Sequence, residues 1–324
     1  MTTAQGTPPE LRPLEWPGTP HAGLSRDPDT LHDMTNNLKT VGLLGLLGGL
    51  FIAAGAALGG QSGATVALVF AALFNFAMYF FSDRLALAAA RATPIQPGQL
   101  PNVEMIVSSL ASREGLPMPR LYVIDSPQPN AFATGRSPSH AAVAVTRGIL
   151  ELMSNQELEG VLAHEMAHVK NRDILIASVA ATIAAALSFL TRMAFWGGLG
   201  GRRDDNNPAG AIGAIIGIIV APIAAMVIQM AISRSREFQA DRSGAETTGS
   251  PLALAAALQK LEAGTSRVPM DVNPAVSQLF IADPLKAFGR GDGRKGNGLT
   301  RLFSTHPPIP ERVARLEQMA MGIR

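Results

Sequence analysis

The sequence predicts a mainly α integral membrane protein: four transmembrane helices, with an α+β domain outside the membrane built round a small β-sheet. Three observations predict it. Uncharged apolar runs at residues 41–58, 64–81, 174–191 and 208–232 each approach the ~20 residues that a bilayer core requires. Between and after them lie charged, helix-periodic segments and two short strand-like runs, R-L-Y-V-I at 120–124 and A-A-V-A-V at 141–145. Composition agrees: only 16% of residues are charged and 5% aromatic, and Ala, Gly, Leu and Ile abound, as in closely packed membrane helices.

The 324 residues divide into five segments. Residues 1–36 are rich in Pro, Gly, Thr and Asp and lack apolar periodicity, so they read as a disordered tail. Residues 37–82 form a first transmembrane hairpin turning at 59–63, with Tyr79, Phe80 and Phe81 at its far boundary. Residues 83–173 are the first part of the water-facing domain, 174–232 a second transmembrane hairpin, and 233–324 the rest of that domain. The lipid bilayer is therefore an expected partner. A net charge of +2 leaves no nucleic-acid footprint, so no nucleic acid is expected. The absence of cysteine excludes disulfides and thiolate metal ligands, so any metal must be held by His and carboxylates.

In chain order, 88–101 is a linker. Residues 102–113 are a helix through Val103, Ile106, Val107 and Leu110, stopped by Gly115 and Pro117. The strands at 120–124 and 141–145 follow, joined through P-N-A-F-A-T-G. A short helix covers 148–153. Ser154 then caps the next helix, with Glu157 three residues on in an S-x-x-E capping box. That helix is expected to run unbroken to Asp173 and on into the third apolar run. Beyond the second hairpin come a charged helical segment from 233, a helix at 252–262, a basic Gly-rich loop at 289–298, and a last helix after S-T-H-P-P.

The chemistry sits on the capped helix. His164, Glu165 and His168 form H-E-x-x-H, which puts the two imidazoles on one face a turn apart. Such a pair can bind Zn²⁺, with Glu165 placed to reach a water at the ion. The extended H-E-x-x-H-x-x-G-x-x-H pattern fails, because Asn171 and Ile174 stand where its Gly and His would be. A downstream carboxylate should complete the set. Glu237 is the candidate, although an exposed, purely structural charged turn would have the same composition. Two membrane crossings between His168 and Glu237 would return Glu237 to the side of the histidines. Asp173 and Asp241 are candidates to orient the ligands by hydrogen bonds. His306, in a stiff T-H-P-P context, is a candidate donor to an oxyanion. The chemistry these residues would support is hydrolysis of a peptide bond, with Glu165 as general base.

With these residues in view, the chain resembles the HtpX-type membrane zinc endopeptidases, relatives of the CAAX prenyl proteases. The resemblance runs from about residue 36 to the end. It rests on N-N-L-K-T at 36–40, P-N-A-F-A-T-G at 129–135, H-E-M-A-H-V-K-N-R-D at 164–173, S-R-E-F-Q-A-D at 235–241 and S-T-H-P-P-I-P-E-R-V at 304–313. It implies a gluzincin-like catalytic domain and one Zn²⁺ per subunit held by His164, His168 and Glu237, with Glu165 as catalytic base. It places Asp241, His306 and Arg312 near the site. It makes Asn130, Ala131, Phe132 and Ala133 a substrate-facing edge. The implied role is quality control of misfolded or damaged membrane proteins, with membrane-protein or unfolded polypeptide substrates. The tail of about 35 residues is longer than the family usually shows.

Lys39, Arg84, Arg91, Lys170, Arg172, Arg234 and Arg236 flank the spans on one side, whereas Arg202 and Arg203 of the second turn are offset by Asp204 and Asp205. This positive-inside bias predicts a multi-pass protein of a bacterial inner or plasma membrane, its catalytic part in the cytosol. The alternative is a catalytically silent membrane scaffold or chaperone of the same fold, which would be expected to lack Glu165 or a ligand. A transporter or channel would carry polar residues inside its spans, and these have almost none.

Overall fold

The computed structural model describes residues 28–181, 183, 234–273, 276–288 and 307–322. The expectations for residues 1–27, most of the second hairpin, the loop at 289–298 and His306 lie outside the described residues.

Helix α1 (Pro28–Ala89) is two helices joined at Gly59 and Gly60, whose φ/ψ of −140/17 and 58/−141 leave the helical region. The second pair of angles is one that glycine adopts without steric cost. The arms fold back on each other: Asn75 Nδ2 donates to the Leu44 carbonyl at 3.0 Å. The Phe51 ring meets Phe70 and Phe74 edge-on at 5.2 and 5.5 Å. The turn is thus tighter than the expected 59–63. The helix also takes in residues 28–36, which the composition had placed in the tail. Pro28 opens it, a residue whose fixed φ suits the start of a helix. Among the described residues, one helix, Gly59–Ala89, is long and apolar enough to cross a membrane.

The domain beyond α1 is mostly helical with a small mixed sheet, ordered β1-β2-β4-β3. Its strands are β1 (Ala92–Pro94), β2 (Arg120–Ile124), β3 (Ala131–Gly135) and β4 (Ala141–Thr146). β2 and β4 pair parallel, with Arg120 opposite Ala142, while β1 and β3 pair antiparallel on the outer sides. Two strands are corrections to the sequence reading. Residues 92–94, expected as linker, are an edge strand, which tolerates Pro94. Residues 131–135, expected as a connection, form the other edge strand; with almost no β-branched side chains, burial rather than propensity makes them one.

Alternation along β4 explains why it is buried throughout and apolar up to Thr146. Ala141, Val143 and Val145 join one core with Val161, Leu162 and Met166, while Ala142 and Ala144 join another with Phe132, Phe280, Ala86 and Leu87. Around the sheet lie helices α2 (Pro101–Glu114), α3 (Arg147–Leu152), α4 (Asn155–Lys170), α5 (Arg234–Thr248), α6 (Pro251–Arg267) and α7 (Ile309–Ala320), with a further helical stretch from 173. α4 lies between the sheet and α2, α5 and α6, which is why nearly its whole circumference is buried. The predicted capping box is formed: Ser154 N–H donates to Glu157 Oε2 at 2.8 Å and Glu157 N–H to Ser154 Oγ at 3.4 Å.

Candidate metal centre

α4 presents His164 and His168 one turn apart, their ring centroids 4.8 Å apart and their planes at 88°. α5 crosses this face closely, because Gly244 has no side chain: a Cβ there would lie 2.8 Å from the His164 backbone nitrogen. The crossing brings in Glu237 from the first turn of α5. Its Oε2 stands 3.8 Å from His164 Nε2 and its Oε1 3.6 Å from His168 Nε2. One ligand atom from each of the three lies within 4.8 Å of the others. Two ligands about 2.0–2.1 Å from a tetrahedral zinc stand about 3.4 Å apart, and the two His–Glu separations exceed this by only a few tenths of an ångström. Two imidazoles and a carboxylate are also a donor set that zinc accepts.

The outer nitrogens are held as metal-binding histidines require. Asp241 Oδ1 is 3.0 Å from His164 Nδ1, and Asp173 Oδ2 is 3.1 Å from His168 Nδ1. A carboxylate at Nδ1 takes that N–H, so that Nε2 is the nitrogen left for a metal once the ring is neutral. Asp173 reaches back only because the helix breaks, which corrects the expectation of an unbroken helix through it. α4 closes at Lys170, Asn171 and Arg172 form a turn with Arg172 at φ 55, and a helix resumes at 173. On a straight helix Asp173, five residues on, would face about 140° away from His168.

Arg312 is fully buried in the middle of this arrangement. It holds Asp241 with two bonds, Nη2 to Oδ1 at 2.6 Å and Nε to Oδ2 at 2.8 Å. Its Nη1 donates to the Ile281 carbonyl at 3.3 Å and lies 3.8 Å from Glu237 Oε2. Burial, then the Arg312 charge, lowers the pKa of His164 to about 4 against the pull of Asp241, so the ring is neutral, the form that binds a metal. Burial would also lower His168, but Asp173, Glu237 and Glu165 more than reverse this and raise it to about 9. Asp241, despite burial, is held at about 2 by Arg312 and His164.

Glu165 points to the sheet: its Oε2 accepts the Ala133 N–H at 2.8 Å. Ala131, Phe132 and Ala133 are buried in this structure, as is Asn130. The free side of β3 is met by the chain itself, with Ile281 N–H donating to the Ala131 carbonyl at 3.0 Å. Asn130 holds Ala282 from both sides, Nδ2 donating to its carbonyl at 2.8 Å and Oδ1 accepting its N–H at 3.3 Å. Phe132 stacks edge-on against Phe280 at 4.9 Å. His164, Glu165, His168, Asp173, Glu237, Asp241 and Arg312 therefore come together, while Asn130 to Ala133 line the site's wall and are covered by residues 280–282. Sequence reasoning missed that covering segment and missed Arg236, whose Nε lies 3.4 Å from Asp173 Oδ1. The one signal for Arg236 was its place beside Glu237.

Comparison with known proteins gives three kinds of match. Residues 97–320 match peptidase family M48. Curated relatives, each described as a protease HtpX homolog, include one from Desulfatibacillum aliphaticivorans, 50% identical over 87% of this chain and 89% of that protein. Another, from Syntrophotalea carbinolica, is 51% identical over 88% of this chain and 99% of that protein. A solved structure, that of S. mikatae Ste24p, aligns with a TM-score of 0.45 at 19% identity over 89% of this chain and 66% of that one.

Proposed function

The chain belongs to peptidase family M48 and is a membrane metalloprotease, and from that premise we propose that it is a zinc endopeptidase that cuts misfolded or damaged membrane proteins at the cytosolic face. The observation that carries this reading is the His164–His168–Glu237 cluster, all within 4.8 Å, beside Glu165. These three residues would hold one Zn²⁺ per subunit. Bound there, zinc would polarise a water, lower its pKa to about 7, and draw charge from the scissile carbonyl.

The chain's own groups do the rest. Glu165 takes a proton on its carboxylate and passes it to the leaving amine. Asp173 and Asp241 fix the two imidazoles in the tautomer that faces the cluster. A substrate backbone would lie along the free side of β3, where the outward groups of Ala131 and Ala133 can pair with it as a further strand. For this, residues 280–282 must yield the Ala131 carbonyl and Glu165 the Ala133 N–H. Arg312 Nη1, now on the Ile281 carbonyl, is placed to donate to a substrate carbonyl brought to the same spot. His306 would add a second donor. The remaining spans and the cytosolic orientation rest on the apolar runs and the Lys/Arg bias of the sequence.

The test compares zinc-loaded wild type with Glu165→Ala on an unfolded membrane-protein substrate. Cleavage by the wild type and its loss by several orders of magnitude in the variant is the expected result. Equal cleavage by both, or none by either, would sink the reading.

A further inference from the structure

The apolar arm of α1 ends in an aromatic cluster. Phe80 lies tilted by 37° against Phe76 at 4.4 Å and meets Tyr79 edge-on at 5.0 Å, three residues before Asp83. Such clusters settle at the headgroup boundary of a bilayer. Two contacts fasten the sheet to this end of the helix. Buried Asp83 pairs with Arg120 of β2 at 2.5 Å. Arg136, in the turn after β3, lies with its guanidinium carbon 5.2 Å from the Phe80 ring centroid.

The same end of β3 is fixed to the helix that opens the third apolar run. Thr134 Oγ1 and Ser178 Oγ are 2.6 Å apart, and Gly135 N–H donates to Ser178 Oγ at 3.3 Å. Gly135 is needed there: at φ 146, an added Cβ would lie 2.6 Å from the His140 carbonyl oxygen and 3.0 Å from Ile174 Cδ1. So β3 and the turn that follows it reach the aromatic boundary at Arg136 and the carboxylate of Glu165 at Ala133. Two residues, Thr134 and Gly135, lie between Ala133 and Arg136, three backbone steps or at most about 10 Å at ~3.3 Å per residue.

Resting on the protease reading, we propose that β3 and the turn after it act as a ruler: they hold the reaction site a few strand residues from the membrane boundary and select peptide bonds about three to five residues outside a transmembrane span. A tether shorter than that cannot bring its bond to Glu165. A longer flexible tether reaches the site but dilutes it, the effective concentration falling as about the −3/2 power of length. Lengthening the tether eightfold beyond the optimum lowers the cleavage rate roughly 20-fold by that scaling. The substrate class is therefore the juxtamembrane segment of an unfolded or orphaned membrane protein, in preference to the middle of a long loop. Arg136 acts as a positioning residue, through β3, and touches no reacting atom.

The experiment uses the full-length, zinc-loaded protein in liposomes. Single-span substrates carry one cleavable sequence, set off from the span by Gly-Ser spacers graded in length. The expected profile is no cleavage without a spacer, a maximum at about four residues, and a roughly 20-fold decline at an eightfold longer spacer. Arg136→Ala is expected to broaden this maximum while cutting a soluble unfolded peptide at the wild-type rate. Equal rates at all spacer lengths, with the soluble peptide cut, would overturn the ruler and leave the protease reading intact. An unchanged profile in Arg136→Ala would overturn its positioning role. Failure to cut any substrate, the soluble peptide included, would overturn the reading on which the ruler rests.

Discussion

Replacing Arg312 with Met should destabilise the domain by more than any surface change. Arg312 has no exposed surface and gives Asp241 two short bonds of 2.6 and 2.8 Å. Its pKa is pushed up, with burial opposed and outweighed by Asp241, Glu237 and Glu165. Removing it leaves the Asp241 carboxylate buried without its main counter-charge, a loss of about 3–5 kcal/mol. The Ile281 carbonyl loses a donor as well. For a domain of this size each kcal/mol moves Tm by about 2–4 °C, so the expected fall is about 6–20 °C. Scanning calorimetry of the detergent-solubilised protein, with zinc and with chelator, measures it. The double variant Arg312→Met with Asp241→Leu should regain part of the loss, because neither charge is then left alone in the core. A single-variant Tm within about 2 °C of wild type would refute the reasoning, since it would mean that Asp241 is readily solvated or rearranges without cost.

Asp173→Asn should weaken zinc binding about 10–100-fold by removing the carboxylate that orients His168, measured by competition with a chelator above pH 9, where the ring is neutral in both proteins. In the wild type, His168 keeps a proton up to about pH 9, and that proton must leave before Nε2 can bind a metal. Zinc affinity should therefore rise with pH by up to about tenfold per unit towards pH 9 and level off above it, with proton release visible by calorimetry in buffers of different ionisation enthalpy. Gly244→Ala should force α5 away from α4 and cost more zinc affinity than stability, because its Cβ would meet His164 backbone; an unchanged chelator titration would count against that. Ser154→Ala removes the cap of α4 and should cost about 1 kcal/mol, seen as a small fall in Tm with zinc affinity unaltered.

Much of the site was legible along the chain. Local rules, which need only a few neighbouring residues, located His164, Glu165 and His168 on one face of a capped helix. They also located the hairpin of α1, the strands at 120–124 and 141–145, and the helices before and after them. A helix start is written in Ser154 and Glu157, and a metal face in a spacing of four. What failed was local in appearance but tertiary in cause. β3 is made of residues with little strand preference, and it becomes a strand because β4 offers hydrogen bonds on one side and the core takes its side chains. The turn at Asn171 and Arg172 interrupts a run that periodicity carries through, and it persists because Asp173 gains His168 and Arg236.

The sequence by itself supplied the candidates for the chemistry, side chains of the types that hold a metal or move a proton, and the apolar runs that flank them. Only the tertiary structure decided how those residues meet. It set Glu237 under both imidazoles through a close crossing at Gly244 and buried Arg312 against Asp241. It also laid residues 280–282 along the free side of β3. Each of these depends on contacts between segments tens to more than a hundred residues apart, where the outcome is fixed by volume, desolvation and hydrogen-bond supply rather than by any pattern in one stretch of chain.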